Sequence, residues 1–291
     1  MSAHARTVSG ALRTEPPTVL DDEAVETILE HGSLELVGRL PSASNASFLA
    51  TTTLDGVELA CVYKPIAGER PLWDFPDGNL AGREYAARLI SQASGFDVVP
   101  PTVLRDGRFG SGMCQRWVET ELEQSLIDVV ATDFDEPGWL VVLEAEDHRG
   151  DPVFLVHADD ERLRDMAVFD AVINNADRKG GHVLLEPPGE DVVVSDNRTS
   201  LWGCDHGVTL HHEDKLRTVL WGWAGEPLRD EDRDRISALV LALDAELGRR
   251  LAPHLTRREL DALTARALIL RSGDAMPLPT ERWPVIPWPP F

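Results

Sequence analysis

Residues 174–182, which read NNADRKGGH, place six polar side chains and two glycines directly before the apolar run Val183–Leu185. Asp177 and His182 lie five positions apart across the glycine pair, which lets the backbone turn sharply and directs both side chains toward one site. In phosphoryl transfer, an acid and a metal-binding side chain at this spacing orient the attacking hydroxyl and hold a cation. An ordinary polar turn has the same composition, so the interpretation depends on the rest of the chain.

Phosphoryl transfer from ATP also needs a cation for the phosphates, an acid that holds this cation, and a carboxylate for Mg²⁺. Lys64 ends the apolar strand pattern ELACVYKP, Glu84 lies early in the helical pattern GREYAARL, and Asp205 lies in CDHG. Each has a common structural reading, as an edge charge, a helix-dipole acid or a turn residue. Their order along the chain nevertheless predicts an ATP and Mg²⁺ site in which Lys64 and Glu84 form an ion pair.

Residues 41–50, PSASNASFLA, separate two strand patterns ahead of Lys64. Ser44, Asn45 and Ser47 offer hydroxyl, amide and backbone groups that can bind a phosphate. The segment lacks the glycine density of a nucleotide-binding loop, so a plain hairpin turn is the alternative reading.

The periodicity predicts an α+β fold with two lobes and a cleft between them, where ligands usually bind. Residues 1–20 are expected to be disordered, 21–119 to form a strand-rich N-lobe, 120–275 a helical C-lobe, and 276–291 a Pro- and Trp-rich tail that packs on the body. Residues 122–133 are predicted as a helix, RDGR at 105–108 as a hairpin turn, and 229–250 and 256–271 as two closing helices.

The composition excludes several classes of protein. The chain has 28 basic and 50 acidic residues, a net charge of −22, which argues against binding nucleic acid or anionic lipid. Three dispersed cysteines give neither a zinc motif nor a disulfide framework. The N-terminal residues do not resemble a signal peptide, and no run approaches the ~18 apolar residues of a membrane span. A cytoplasmic protein without stable membrane insertion is expected, and its oligomeric state is not predicted.

The sequence resembles the phosphatidylinositol 3-/4-kinase-related atypical kinases, most closely the type II phosphatidylinositol 4-kinase branch and, more narrowly, an actinobacterial branch described as kinase-like. The resemblance covers roughly residues 35–225 and is carried by YKP, GREYAARL, VVPPTVL, MCQRWVE, NNADRKGGHVLL and DHG. It implies a bilobal protein-kinase-like fold and an ATP- and Mg²⁺-dependent phosphotransferase with an alcohol acceptor.

The resemblance also implies a role for each matching residue. Lys64 would contact the α- and β-phosphates, with Glu84 positioning it. Asp177 and Arg178 would act at the attacking hydroxyl, and Asp205 would bind Mg²⁺. The hinge that faces adenine would comprise Gln115, Arg116, Trp117 and Val118.

His182 departs from the family pattern, because it stands where the family has a metal-binding Asn. Mg²⁺ prefers oxygen ligands to imidazole. The departure leaves open a one-metal site, a preference for Mn²⁺, weak catalysis, and a nucleotide-binding pseudokinase with a regulatory role. A kinase-fold enzyme that transfers AMP is a third reading of the same fold. The acceptor also stays open, as a lipid, a protein or a small molecule.

Overall fold

The computed structural model describes residues 18–41, 44–120, 125–187, 192–194, 201–280 and 284–291. Its first half contains, in chain order, β1 (Thr18–Leu20), α1 (Asp22–His31), β2 (Ser33–Arg39), β3 (Phe48–Leu54), β4 (Val57–Pro65), α2 (Leu80–Ser94), β5 (Thr102–Gly107) and β6 (Gly110–Arg116). The last five of these strands form one antiparallel sheet in the order β2-β3-β4-β6-β5. This order puts β4 at the centre of the sheet.

Side chains of β4 point alternately to the two faces of this sheet, as the two-residue period of a strand requires. Cys61 and Tyr63 are completely buried in a cluster with residues of α1. Val62 belongs to a separate cluster that includes Ala81 of α2. Lys64 lies two positions after Val62, so the strand directs its ammonium group toward α2.

The start of α2 is fixed by side chains that satisfy three backbone amides of its first turn. Asn79 Oδ1 accepts from the Gly82 amide at 2.7 Å, and the Glu69 carboxylate accepts from the first two helical amides at 2.8 Å each. Without such caps these amides have no partner within the helix. The helix ends at Gly95, where φ of 75° is a left-handed conformation that glycine adopts readily.

The second half contains more helix than strand. Its elements are β7 (Ile127–Ala131), β8 (Trp139–Glu146), β9 (Pro152–Ala158), α3 (Glu161–Ile173), β10 (Val183–Leu185), β11 (Val192–Val194), β12 (Leu201–Gly203), α4 (Asp230–Leu243), α5 (Glu246–Leu251) and α6 (Arg257–Gly273). The sheets are β7-β9-β8, β10 with β12, and β11 with β1. A single apolar core joins α2 to α3, α4, α5 and α6, so α2 packs against both halves. The predicted α+β class is confirmed. Within the described ranges, no helix has the length and apolar composition that a membrane crossing requires.

The prediction of a helix over residues 122–133 was wrong. Residues 127–131 form β7, which pairs antiparallel with β9 from Ile127 opposite His157 to Ala131 opposite Val153. Three of these five residues are β-branched, which favours a strand. Residues 121–124 lie outside the described residues.

Two boundaries also differ from the prediction. The hairpin between β5 and β6 turns at Arg108 and Phe109, two residues after the predicted position. The predicted helix over 229–250 is divided, because Ala245 leaves helical dihedral angles (φ −113°, ψ −128°) between α4 and α5. Gly248 permits the close packing at this break, since a Cβ there would lie 2.2 Å from the carbonyl oxygen of Leu243.

Candidate active site

The Lys64 ammonium group contacts two carboxylates that come from different parts of the chain. Its Nζ lies 2.8 Å from Glu84 Oε1, and it also contacts Asp205 Oδ1. Glu84 Oε2 accepts a further hydrogen bond from the backbone amide of His206 at 2.9 Å. Glu84 on α2 therefore connects the central strand β4 to the segment that carries Asp205.

Electrostatics keep Lys64 and Asp205 charged at neutral pH. Burial opposes the charge of Lys64, but Asp205 and Glu84 outweigh it and raise the pKa of Lys64. The Lys64 ammonium holds the pKa of Asp205 well below its usual range, against the effect of burial. Burial raises the pKa of Glu84, and Lys64 opposes that shift. The Asp205 side chain is 49% exposed and that of Glu84 only 4%, so Asp205 is the carboxylate that a cation from solvent can reach.

Asn174 ties the NNADRKGGH loop to the segment that follows Asp205. It ends α3 in a left-handed conformation, with φ of 56°. Its Nδ2 donates to the carbonyl oxygens of His211 at 3.1 Å and Glu213 at 2.6 Å, and its Oδ1 accepts from the Lys215 amide at 2.8 Å. One buried amide side chain thus orders the loop and residues 205–219 together.

Asn175 holds the backbone from which Asp177 projects. Its Nδ2 donates to Asp170 Oδ1 at 2.9 Å, and its Oδ1 accepts from the Asp177 amide at 3.0 Å. Burial raises the pKa of Asp177, and Lys179, whose Nζ lies 3.3 Å from Asp177 Oδ2, opposes the shift. The Asp177 side chain is 32% exposed, so a proton donor from solvent can reach this carboxylate.

Arg178 does not fit its expected catalytic role, because its guanidinium is completely buried. Nε and Nη2 bind the two oxygens of Asp170 at 2.8 and 2.9 Å. Nη1 donates to the carbonyl oxygens of His182 at 3.2 Å and Cys204 at 3.1 Å, and Nη2 lies 2.7 Å from His206 Nε2. Arg178 is therefore a positioning residue that joins the loop to both sides of the Asp205 turn.

His182 lies beside Asp205, with 3.4 Å between its Nε2 and Asp205 Oδ2. Burial lowers the pKa of His182 to about 4, so the imidazole is neutral at pH 7. Its Nδ1 is buried and has no hydrogen-bond partner among the described residues. The chain forms a 3-10 turn at Gly180–His182, and neither glycine has a positive φ, so this turn does not use the left-handed conformation that favours glycine.

Two of the four residues expected at the hinge use their side chains to hold the protein together. Gln115 Nε2 donates to Thr102 Oγ1 at 2.8 Å, and Arg116 binds both carboxylate oxygens of Glu186 at 2.5 and 3.0 Å. Trp117 is half-buried, its amide donates to the carbonyl oxygen of Ala60 at 3.0 Å, and Val118 is buried. Trp117 and Val118 are thus the hinge residues that stay candidates for contact with a base.

The segment expected to bind phosphate is anchored by its own side chains. Asn45 Oδ1 accepts from the Arg70 amide at 2.9 Å, Ser47 is buried, and Ala46 packs against Gly68. These contacts give Asn45 and Ser47 structural roles and leave Ser44 exposed. Residues 42 and 43 of this segment lie outside the described residues.

The sequence interpretation missed two acidic residues that organise the site. Asp170 is completely buried on the apolar helix α3, where a charged residue is expected only with a partner. This could have been noticed in MAVFDAVI. Glu186 binds Arg116, and it also accepts from Trp202 Nε1 at 2.6 Å. No local pattern indicates Glu186, since Arg116 lies 70 residues away in the sequence.

A solved kinase structure has a fold similar to that of this chain. The chain aligns with the Golgi casein kinase, in a crystal structure with Mn/ADP bound, at a TM-score of 0.51 and 13% identity, covering 86% of this chain and 74% of that one. An identity this low shows the fold alone. The prediction of a protein-kinase-like fold is therefore confirmed.

Sequence comparisons give a distant and a near relative, whereas no family model matches. Phosphatidylinositol 4-kinase gamma 6 of Arabidopsis thaliana is 28% identical in an alignment of 213 residues that covers 67% of this chain and 31% of the plant protein. Protein Rv2133c of Mycobacterium tuberculosis is 47% identical in an alignment of 283 residues that covers 94% of this chain and 97% of that protein. This chain belongs to the family of the mycobacterial protein Rv2133c.

Proposed function

We propose that the chain is an ATP-dependent phosphotransferase that uses a divalent cation and transfers the γ-phosphate to an alcohol. The observation that carries the proposal is the Lys64 ammonium group held between Glu84 and Asp205, with Glu84 also bound to the His206 amide. A Lys paired with a helical Glu beside a metal-binding Asp is the arrangement that phosphoryl transfer by kinases requires. The similarity to a phosphatidylinositol 4-kinase and to a casein kinase that binds Mn and ADP supports it.

Lys64 is the residue that binds the α- and β-phosphates in this proposal. Phosphate oxygens would take the place of the Asp205 carboxylate at Nζ, while the Glu84 bond keeps the ammonium group in position. This exchange leaves Asp205 free to hold a cation. The adenine ring would lie against Trp117 and Val118, because the neighbouring Gln115 and Arg116 side chains have other partners.

Asp205 and His182 are the residues that fit a divalent cation. When bound, the cation neutralises charge on the phosphates during transfer. The ionised carboxylate and the neutral imidazole lie 3.4 Å apart, and both are in the protonation state that a metal ligand needs. Mg²⁺ favours all-oxygen ligands, so one imidazole shifts the preference toward a transition-metal ion such as Mn²⁺.

Asp177 is the group that accepts the proton of the attacking hydroxyl. As the alcohol oxygen bonds to the γ-phosphorus, the bond to the bridging oxygen breaks, ADP leaves, and the proton passes to the Asp177 carboxylate. Burial raises the pKa of Asp177, which makes the carboxylate a better base. Lys179, next to this carboxylate, keeps it ionised before the reaction.

Isotope-labelled ATP tests the proposal directly. With Mn²⁺ and γ-labelled ATP we expect turnover by the wild type, and a loss of about 100-fold or more in Asp205→Ala and in Asp177→Asn. Asp214→Ala is the matched control, because it removes an exposed carboxylate from the same segment and should leave turnover unchanged.

Other results would assign other functions. Transfer of label from α-labelled ATP to an acceptor would indicate AMP transfer. Thermal stabilisation by ATP without turnover in Mn²⁺ or Mg²⁺ would indicate a pseudokinase. His182→Asn restores an oxygen ligand, so we expect it to raise the turnover with Mg²⁺ relative to Mn²⁺. If this variant loses turnover with both ions, His182 has a role other than that of an imperfect metal ligand.

A further inference from the structure

Residues 284–291, which we call the clamp segment, cross the second half of the molecule and are anchored at Val285. The Val285 carbonyl oxygen accepts from the Thr218 amide at 3.1 Å and from Trp221 Nε1 at 2.8 Å. Ile286 packs against the main apolar core, and Pro287 is buried. This end of the clamp segment is therefore fixed to the segment that follows Asp205.

The other end of the clamp segment contacts the loop that carries Asp177. The Pro290 carbonyl oxygen accepts from the Gly180 amide at 2.8 Å. The Phe291 ring lies over Gly180, where an added Cβ would be 2.5 Å from Phe291 Cε1 and 2.6 Å from Cδ1. A Cβ is essentially never found that close to another atom, so only glycine accommodates the ring. Gly180 has no positive φ, and the contact with Phe291 explains this glycine better than a turn does.

The two anchor points lie on backbone segments that are bonded to each other next to Asp177. The Arg178 amide donates to the carbonyl oxygen of Arg217 at 3.0 Å, and the Val219 amide donates to that of Arg178 at 3.1 Å. The clamp segment binds one segment through Thr218 and the other through Gly180. The clamp segment, the loop that carries Asp177 and the segment around Thr218 therefore each contact the other two.

We propose that the clamp segment positions the catalytic loop for phosphate transfer and that Phe291 is the positioning residue through which it acts. The proposal rests on the proposed function, which gives the loop its chemical role. Lys64 and Glu84, which would hold the phosphates of ATP, lie on β4 and α2, so the clamp should affect the transfer step and leave ATP binding intact. Misplacing reacting groups by about 1 Å can lower a rate about 100-fold.

Phe291→Ala tests the proposal, since the Phe291 side chain is 49% exposed and its loss should not unfold the protein. We expect kcat to fall by about 10-fold or more, with KM for ATP unchanged. Trp288→Ala is the matched control, because this aromatic side chain of the same segment is 88% exposed, and it should behave as wild type. A higher kcat in Phe291→Ala would overturn the proposal in favour of an inhibitory tail.

Gly180→Ala provides a second route to the same change, because the new methyl group displaces the Phe291 ring. The double variant Gly180→Ala/Phe291→Ala should be no slower than Gly180→Ala, since both changes remove one contact. Additive losses in the double variant would contradict the proposal.

Hydrogen exchange of the Gly180 amide separates a failure of the clamp from a failure of the proposed function. We expect this amide to be protected in the wild type and in Trp288→Ala, and to exchange faster in Phe291→Ala. An unprotected amide in the wild type overturns the clamp whatever the activity. Faster exchange with unchanged kcat overturns its positioning role. If the wild type has no turnover but the amide is protected, the proposed function fails, and with it the positioning role, although the contact itself stands.

Discussion

Replacing Arg178 by Met is predicted to lower the free energy of unfolding by about 4 kcal/mol. Met resembles Arg in length but donates no hydrogen bonds. The variant leaves Asp170, which is completely buried, without its bidentate partner. Breaking one partner of a buried ion pair costs about 3–5 kcal/mol. The carbonyl oxygens of His182 and Cys204 also lose a donor, but such losses within one network do not add, so the central value is appropriate.

Urea unfolding followed by tryptophan fluorescence measures this change, provided that the slope of the transition stays constant. Single domains have a total stability of about 5–15 kcal/mol, so Arg178→Met should be folded but much weakened. Arg178→Lys is the graded control. Lys keeps the charge next to Asp170, but one ammonium group cannot make the two parallel hydrogen bonds of the guanidinium. An intermediate loss of stability is therefore expected.

Stability and turnover of the Arg178 variants together distinguish a positioning role from contact with the substrate. If the free energy of unfolding of Arg178→Met lies within about 1 kcal/mol of the wild-type value but turnover is lost, then stabilising the buried Asp170 is not the main role of Arg178. Arg178 would then have to contact the substrate in another conformation. If stability and turnover fall together and Arg178→Lys recovers part of both, the positioning role is supported.

Three further changes test other parts of the site and the core. Glu84→Gln keeps the shape of the side chain but removes the charge that holds Lys64, and titration calorimetry should show ATP binding weakened by about 10-fold. Arg116→Met removes the ion-pair partner of Glu186, leaves only the Trp202 Nε1 donor described above, and should cost about 1.5–3 kcal/mol of stability in urea unfolding; an unchanged transition would show that this pair does not anchor the hinge. Burial lowers the pKa of His157, whose Nε2 accepts a hydrogen bond from the Gly222 amide. As the pH falls below about 6.5, the unfolded chain takes up a proton before the folded protein does, so the stability decreases. His157→Gln should flatten the stability difference between pH 7.5 and 5, and an unaltered profile would assign it to other groups.

The cluster around Lys64 was predictable because it follows from local rules. Strand alternation directs Lys64 to the face opposite that of Tyr63, and helix α2 lies on that face. A Glu in the first turns of the helix is then within reach of a Lys at the end of the strand. The Asp-x-Gly signal placed Asp205 at a turn, and the structure brings its carboxylate to the same ammonium group.

The wrong predictions concern residues whose partners are not indicated by local patterns in the sequence. The resemblance implied a shared role for Asp177 and Arg178, but neighbouring loop residues point in different directions, and Arg178 points to the buried Asp170. The glycine pair suggested a sharp turn, whereas Gly180 is required by the ring of Phe291, far along the chain. The apolar run around Ile127 was compatible with a helix until its pairing with β9 was known.

Residues 205–219 need no covalent modification to become ordered. In protein kinases, a loop can become ordered when one of its hydroxyl groups is phosphorylated and the phosphate meets arginine. In this segment the hydroxyl residues are Thr209 and Thr218, both buried, and each is hydrogen-bonded through its Oγ1. Asn174 already provides the order that a phosphate would bring. Phosphorylation would therefore find no exposed hydroxyl acceptor on residues 205–219.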